Sequence, residues 1–269
     1  MRVIVTRPER DAQRWVRDLG ALGFQAQALP LIEIAALEDQ SALQAAVRGL
    51  ATYSAVMFVS GNAVAHFFSS DSSLEADFSA QSAIKTRAWA TGPGTARALL
   101  RAGVAPLRID APAADAGQFD SDALWHLVAN QIHAGDRVLI VRGTDLAAQS
   151  DGGLGTGRDW LARRLEQVGA SVHFVAAYRR LAPELTSRDL VLARRSASDG
   201  SVWLFSSAQA VANLVASVRE PVWACARALA THPRIALAAT GAGFGEVQQS
   251  RPALADVAAW LGQHFRMIR

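Results

Sequence analysis

The sequence predicts an α/β protein whose parallel sheets are covered by helices on both faces. Three observations predict it. Short apolar runs of strand length alternate with amphipathic runs of helix length along the whole chain. Apolar strands end abruptly at small polar turns, in VMFVSGNAVAHFF from Val56 and again in VWLFSSAQAVANL from Val202. The order of elements in the first half also returns in the second. Parallel strands need right-handed crossover helices between them, and the alternation supplies them.

The elements follow in chain order. RVIVTRP, from Arg2, is a short β run ended by Pro8. ERDAQRWVRDLGALG is a helix with Trp15, Leu19 and Leu22 on one face, and Gly23 is its stop. FQAQALPLIEI is a second extended piece. The next helix starts at Ser41 and leads into the strand at Ala55–Val59. AIKTRAWATGPGTARALLRAG reads strand, turn and helix, broken at Gly92-Pro93-Gly94, and APLRID is a short strand. A helix capped by Ser121 follows. At Asp136 the pattern restarts with DRVLIVRG, a loop, the helix RDWLARRLEQVG and the strand ASVHFVAAYRR. A polar helix then leads to the second strand-to-turn motif, to RALATHPRIALAATGAG, to EVQQS and to a last helix.

Side by side, the halves match in order. RVIVTR from Arg2 is similar to RVLIVR from Arg137, and AVMFVSGNAV from Ala55 to SVWLFSSAQAV from Ser201. WATGPGTARALLRAG from Trp89 is similar to LATHPRIALAATGAG from Leu229. The order is A, B, A′, B′, an internal duplication. Duplicated α/β units give two similar domains with a cleft between them, and such clefts bind ligands.

Composition narrows the function. With 51% hydrophobic and 19% charged residues the chain holds ample core material and is not disordered. No apolar run reaches the roughly 20 residues of a membrane helix, and the first residues form a strand, without the pattern of a secretory signal. The expectation is a cytoplasmic protein that spans no membrane. Net charge is +3, and Lys85 is the only lysine. Arginine grips carboxylates and phosphates with a bidentate fork, so an acidic ligand fits, although codon bias explains the same excess. No basic run interleaved with aromatics points to nucleic acid. The one cysteine, Cys225, excludes an internal disulfide and reads as a buried structural thiol.

In open parallel sheets ligands sit beyond the carboxyl ends of the strands. The residues to watch are therefore Thr6-Arg7, Ser60-Gly61-Asn62, Gly92 to Thr95, Arg142-Gly143, Ser206-Ser207 and Thr231 to Arg234. Backbone N–H groups at helix starts are ready anion sites. Ser60, Asn62, Thr95 and Ser207 also read simply as helix caps. The Gly-rich pieces GGLGTG (Gly152–Gly157) and GAGFG (Gly241–Gly245) lack the strand-turn-helix setting of a dinucleotide site, and no phosphate loop is present. The six histidines show no metal spacing, and there is no nucleophile elbow. Tyr53 reads as packing. Tyr178 ends a strand, where its phenol is placed either to pack or to donate a proton.

VIVTRP followed by LPLIEI, then GPGTARAL, VLIVRG and VAAYRR, together resemble uroporphyrinogen-III synthase, over almost the whole chain. The resemblance implies two flavodoxin-like domains, the second inserted into the first and joined by a two-stranded antiparallel connector near 31–36 and 178–182. The domains would be residues 1–35 with 183–269, and 36–182, so that A pairs with B′ and A′ with B. It implies a substrate, hydroxymethylbilane, a linear tetrapyrrole with eight carboxylates, and no cofactor. The hydroxyl leaves as water, the last pyrrole attacks through its substituted carbon, and a spiro intermediate fragments and recloses to uroporphyrinogen III. Uncatalysed closure gives the type I isomer. The family's tyrosine falls on Tyr178, the candidate proton donor. One family threonine falls on Thr95, but Arg234 and Ile235 replace the threonines of the second turn. The ligand-facing set is Thr6, Arg7, Ser60, Gly61, Asn62, Gly92, Thr95, Arg142, Gly143, Ser206, Ser207 and Arg234, in a monomer. Two other readings are a two-lobed binding or sensor protein for an acidic metabolite and a nucleotide-dependent α/β enzyme.

Overall fold

The computed structural model describes residues 2–70, 86–113, 121–145, 157–218 and 223–264. The chain divides into two compact units, Met1–Glu33 with Leu181–Arg269, and Ile34–Arg180.

The first unit holds strands β1 (Arg2–Val5), β2 (Gln25–Ala28), β9 (Val202–Phe205), β10 (Arg227–Ala230) and β11 (Glu246–Gln249). They pair in the order β2-β1-β9-β10-β11, every ladder parallel. Its helices are α1 (Glu9–Ala21), α7 (Ser187–Ser196), α8 (Ala208–Ser217), α9 (Pro233–Gly241) and α10 (Leu254–His264). β9 is central, so all four of its residues are buried and its sequence shows no polar alternation. Val202 and Leu204 pack with Trp15 and Leu19 of α1 and Val257 and Leu261 of α10. Trp203 and Phe205 point the other way, into an aromatic cluster with Trp223 and Phe244. The segment after β2 is held by Asn213, whose Nδ2 donates to the Leu31 carbonyl at 2.7 Å.

The second unit holds β4 (Ala55–Phe58), β5 (Arg87–Ala90), β6 (Ile109–Asp110), β7 (Arg137–Asp145) and β8 (Ser171–Leu181), with β3 (Glu33–Ala35) on the β8 edge. The order is β3-β8-β7-β4-β5-β6, with the four ladders from β8 to β6 parallel. Helices α2 (Ser41–Arg48), α3 (Gly61–Ser69) and α4 (Pro93–Arg101) cover one face, and α5 (Ser121–Val128) and α6 (Gly157–Gln167) the other. β4 is again buried throughout, its Val56 and Phe58 facing one core and its Ala55 and Met57 the other.

The two sheets are one pattern entered at different points. In the first unit, numbering its own strands, the order is 2-1-3-4-5. In the second the same order is met with the chain starting at the third strand, so A′ (β7, β8) joins B (β4 to β6). In each unit the connections run to opposite sides from one strand pair, β1/β9 and β7/β4. These are the topological switch points at which open α/β sheets bind ligands.

Three local readings change. Cys225 is exposed, because it lies in a short 3-10 turn before β10 whose buried positions fall to Trp223 and Ala226. APLRID begins as a turn, Pro106–Arg108, and only Ile109–Asp110 is strand. Ser121 is the first helical residue of α5, and the residue before it lies outside the described residues. Most of GGLGTG also lies outside them. GAGFG has a structural reason: Gly243 ends α9 with φ +90°, and a Cβ on Gly245 would overlap the Ala224 carbonyl.

Candidate functional site

Both switch points place helix starts and arginines at the carboxyl edge. In the second unit α3 starts at Ser60, whose Oγ accepts from the Ala63 N–H at 3.1 Å. The same Oγ lies 3.1 Å from the phenol oxygen of Tyr178, which does not end β8 as expected but lies three residues inside it. Because Oγ already accepts from the backbone, its own proton is available for the phenol oxygen.

Tyr178 is 4% exposed and packs with Phe58, Phe67 and Phe68 of the β4–α3 core. Its ring needs the bare backbone of Gly143. The two are register partners just past an irregularity that leaves Ala177 of β8 unpaired, and a Cβ on Gly143 would stand 2.5 Å from Tyr178 Cε2 and Cζ. Gly143, selected from sequence as a ligand-facing turn, is therefore the seat of the phenol. His66, one turn and a half into α3, stacks on the same ring with centroids 5.6 Å apart and planes 28° apart. His66 carries no sequence signal beyond its place after the turn.

Just before Gly143, Arg142 lays its guanidinium over Phe174 at 4.6 Å. The first unit repeats this. Val3 pairs with Val202 as Val138 pairs with Ala55, which puts Arg7 and Arg142 at equivalent positions four residues on. Arg7 lies over Trp15 at 4.3 Å, and its Nε is buried without a hydrogen-bond partner. Burial lowers its pKa to about 10, and Asp11, which offsets part of that cost, is itself paired with Arg14 at 2.8 Å. Among the described residues no carboxylate pairs with Arg7 or Arg142.

By the same register Ser207 is the counterpart of Ser60. It caps α8 by accepting from the Gln209 N–H at 3.1 Å, next to half-buried Ser206. Thr6 is buried and donates its hydroxyl to the Leu204 carbonyl at 2.8 Å, so that proton ties β1 to β9. The next turns are also related. Gly92 precedes α4, with Pro93 in its first turn. His232 precedes α9 and caps it through Nδ1, which accepts from the Arg234 N–H at 3.1 Å. Arg234 is exposed.

The expected caps at Asn62 and Thr95 are not caps. Asn62 is the second residue inside α3, and Thr95 the third inside α4, where it is buried. The capping positions are Ser60 and Gly92, set by where each strand ends. Gly61 has room for a side chain, its nearest neighbour being Ala98 at 3.6 Å. Tyr53 lies at the opposite edge, bonded to His173 Nδ1 at 3.0 Å and under Arg137. Among the described residues no three metal-ligating side chains lie together.

The family model described as Uroporphyrinogen-III synthase HemD matches residues 13–259. The chain belongs to the uroporphyrinogen-III synthase family. Two solved structures share its fold. One is a mutant uroporphyrinogen III synthase from the extremely thermophilic bacterium Thermus thermophilus, 18% identical, covering 98% of this chain and 97% of that one, with a TM-score of 0.54. The other is the uroporphyrinogen-III synthetase of Helicobacter pylori, 16% identical, covering 99% and 100%, with a TM-score of 0.55. As a member of the synthase family the chain is a cyclising hydro-lyase of tetrapyrrole biosynthesis. It closes hydroxymethylbilane to uroporphyrinogen III, inverting the last pyrrole and losing water. No helix among the described residues is long and apolar enough to cross a membrane.

Proposed function

We propose that Tyr178 is the general acid of this ring closure and that the switch-point turns of both units hold the substrate's carboxylates. The observation that carries the first part is the 3.1 Å contact between the Tyr178 phenol and Ser60 Oγ. The phenol gives its proton to the departing hydroxyl, which leaves as water, and the Ser60 O–H turns to the phenolate oxygen. The proton released when the reclosed pyrrole regains aromaticity restores the phenol.

Carboxylate binding rests on two kinds of donor. The starts of α3, α4 and α8 offer unsatisfied N–H groups at Gly61, Asn62, Gly94 and Ala208, with Ser60, Gly92, Thr95, Ser206 and Ser207 around them. Arg7 and Arg142 offer guanidiniums stacked on rings, and Arg234 an exposed one. Holding one folded conformer of the chain is the larger part of catalysis, since it decides inversion against direct closure. The protein works as a cytoplasmic monomer.

Given hydroxymethylbilane, the purified protein yields type III porphyrin in excess over type I after oxidation. Tyr178→Phe folds normally and turns over at least about ten-fold more slowly, general acids contributing a hundred-fold or more. A folded Tyr178→Phe protein with parental turnover removes Tyr178 from the mechanism.

A further inference from the structure

The Tyr178 ring has two neighbours that fix its plane. Gly143 supplies a flat backbone seat, and a side chain there would collide with the ring. His66 supplies an aromatic ring inclined by 28°. The phenol oxygen lies beside Ser60 Oγ, and because a phenol O–H prefers the plane of its ring, fixing that plane fixes the directions in which the proton can point. A tyrosine ring turns readily about its last torsion when its faces are open, and an offset aromatic pair favours one arrangement by roughly a factor of 2 to 10.

We propose that His66 is a positioning residue of the synthase reaction. Its imidazole holds the Tyr178 phenol in the orientation that delivers the proton, and it acts through Tyr178 without contacting the substrate. This rests on Tyr178 as the proton donor. His66 stands on α3, the helix that Ser60 caps, so the hydroxyl partner and the stacking ring meet Tyr178 from the same helix. A ring of similar size and shape at position 66 preserves the function, because stacking and not charge is what Tyr178 requires.

The test uses the full-length protein, with kcat, KM, the type III to type I ratio and Tm measured for His66→Ala, His66→Phe, Tyr178→Phe and His66→Ala/Tyr178→Phe. His66→Ala lowers kcat about three- to ten-fold, leaves KM within about two-fold and raises the share of type I. His66→Phe recovers most of kcat. On the Tyr178→Phe background His66→Ala costs less than about two-fold, the non-additivity expected of residues that act as a unit. A parental kcat in His66→Ala beside an impaired Tyr178→Phe overturns the inference and leaves the donor reading standing. So does a loss that appears in KM, a His66→Phe no better than His66→Ala, or a full loss repeated in the double variant. A parental Tyr178→Phe overturns the donor reading and this inference with it.

Discussion

Strands β1 and β7 are counterparts that each lead to an arginine laid over an aromatic ring, Arg7 and Arg142, yet the two edges carry different chemistry. In the second unit the next residue is Gly143, which admits the ring of Tyr178. In the first unit it is Pro8, which opens α1, and the counterpart of β8 is β2, only four residues long and followed by Leu29-Pro30-Leu31. Both edges hold a capping serine and a histidine, Ser60 and His66 in the second unit and Ser207 and His232 in the first, but only the second adds a phenol. A duplicated fold need not duplicate its reaction. If Tyr178 of the second unit is the acid, the first unit is left free to specialise in binding.

The sharpest way to break this division is at the phenol. Beyond Tyr178→Phe, Gly143→Ala should cost turnover by a hundred-fold or so, because the methyl displaces the ring and misplacement by about 1 Å is worth that much. Retained turnover with a normal circular dichroism spectrum would deny that the phenol must sit there.

The arginines come next. Arg7→Met and Arg142→Met should each raise KM by about ten-fold with kcat nearly kept, the value of a charge-assisted bond to a carboxylate. They should differ in stability. Arg7 is charged at neutral pH although burial has lowered its pKa to about 10, so its charge opposes folding at every pH below that value. Arg7→Met should therefore raise Tm by about 2–4 °C while weakening binding, the usual exchange of stability for function. Equal Tm values for parent and variant would show that Trp15 stacking offsets the burial.

The smallest effect lies at the amino edge of the second unit. Ser54 Oγ donates to Asp136 at 2.6 Å and the His133 N–H donates to its other oxygen, and both hold its pKa below the ordinary 3.8. A lowered carboxylate pKa stabilises the fold above the ordinary value, and that stability is lost as pH falls through the lowered one. Ser54→Ala should cost about 1 kcal/mol at pH 7, and the gap to the parent should narrow below pH 4. Turnover should not change. A change in turnover would place activity at both edges.

Much of this was readable from residues alone. Fully apolar runs such as AVMF and VWLF announce central parallel strands, and the A, B, A′, B′ order announces a duplication, while the pairing of A with B′ and A′ with B was implied only by the family resemblance. Arg7, Ser60 and Ser207 do lie just after strands, whereas Arg142 and Tyr178, expected at strand ends, lie inside β7 and β8, which run on to Asp145 and Leu181 because the two strands keep pairing past them. What sequence does not carry is direction. Nothing in AVAHFF says that His66 turns toward β8, and nothing in RGTD says that a glycine faces a phenol 35 residues later, because both depend on strand register. Cys225 misled because its apolar neighbours alternate in burial around a tight turn. Asn62 and Thr95 misled because a shift of two or three residues separates a cap from the first helical turn.

The permuted arrangement has a cost during synthesis. The second unit is one continuous stretch, but β1 must wait for β9, whose Val202 partners Val3. At 5–20 residues per second the ribosome needs roughly 10–40 s to bridge that interval. Meanwhile β4 emerges before its own neighbour β7 exists, while RVIV of β1 is already available and almost matches the RVLIV that belongs beside it. The nascent chain therefore carries a decoy for its own sheet. A β4 that paired with β1 in that interval would have to exchange it for β7, and slowing translation between residues 60 and 137 should then raise the yield of misfolded chain.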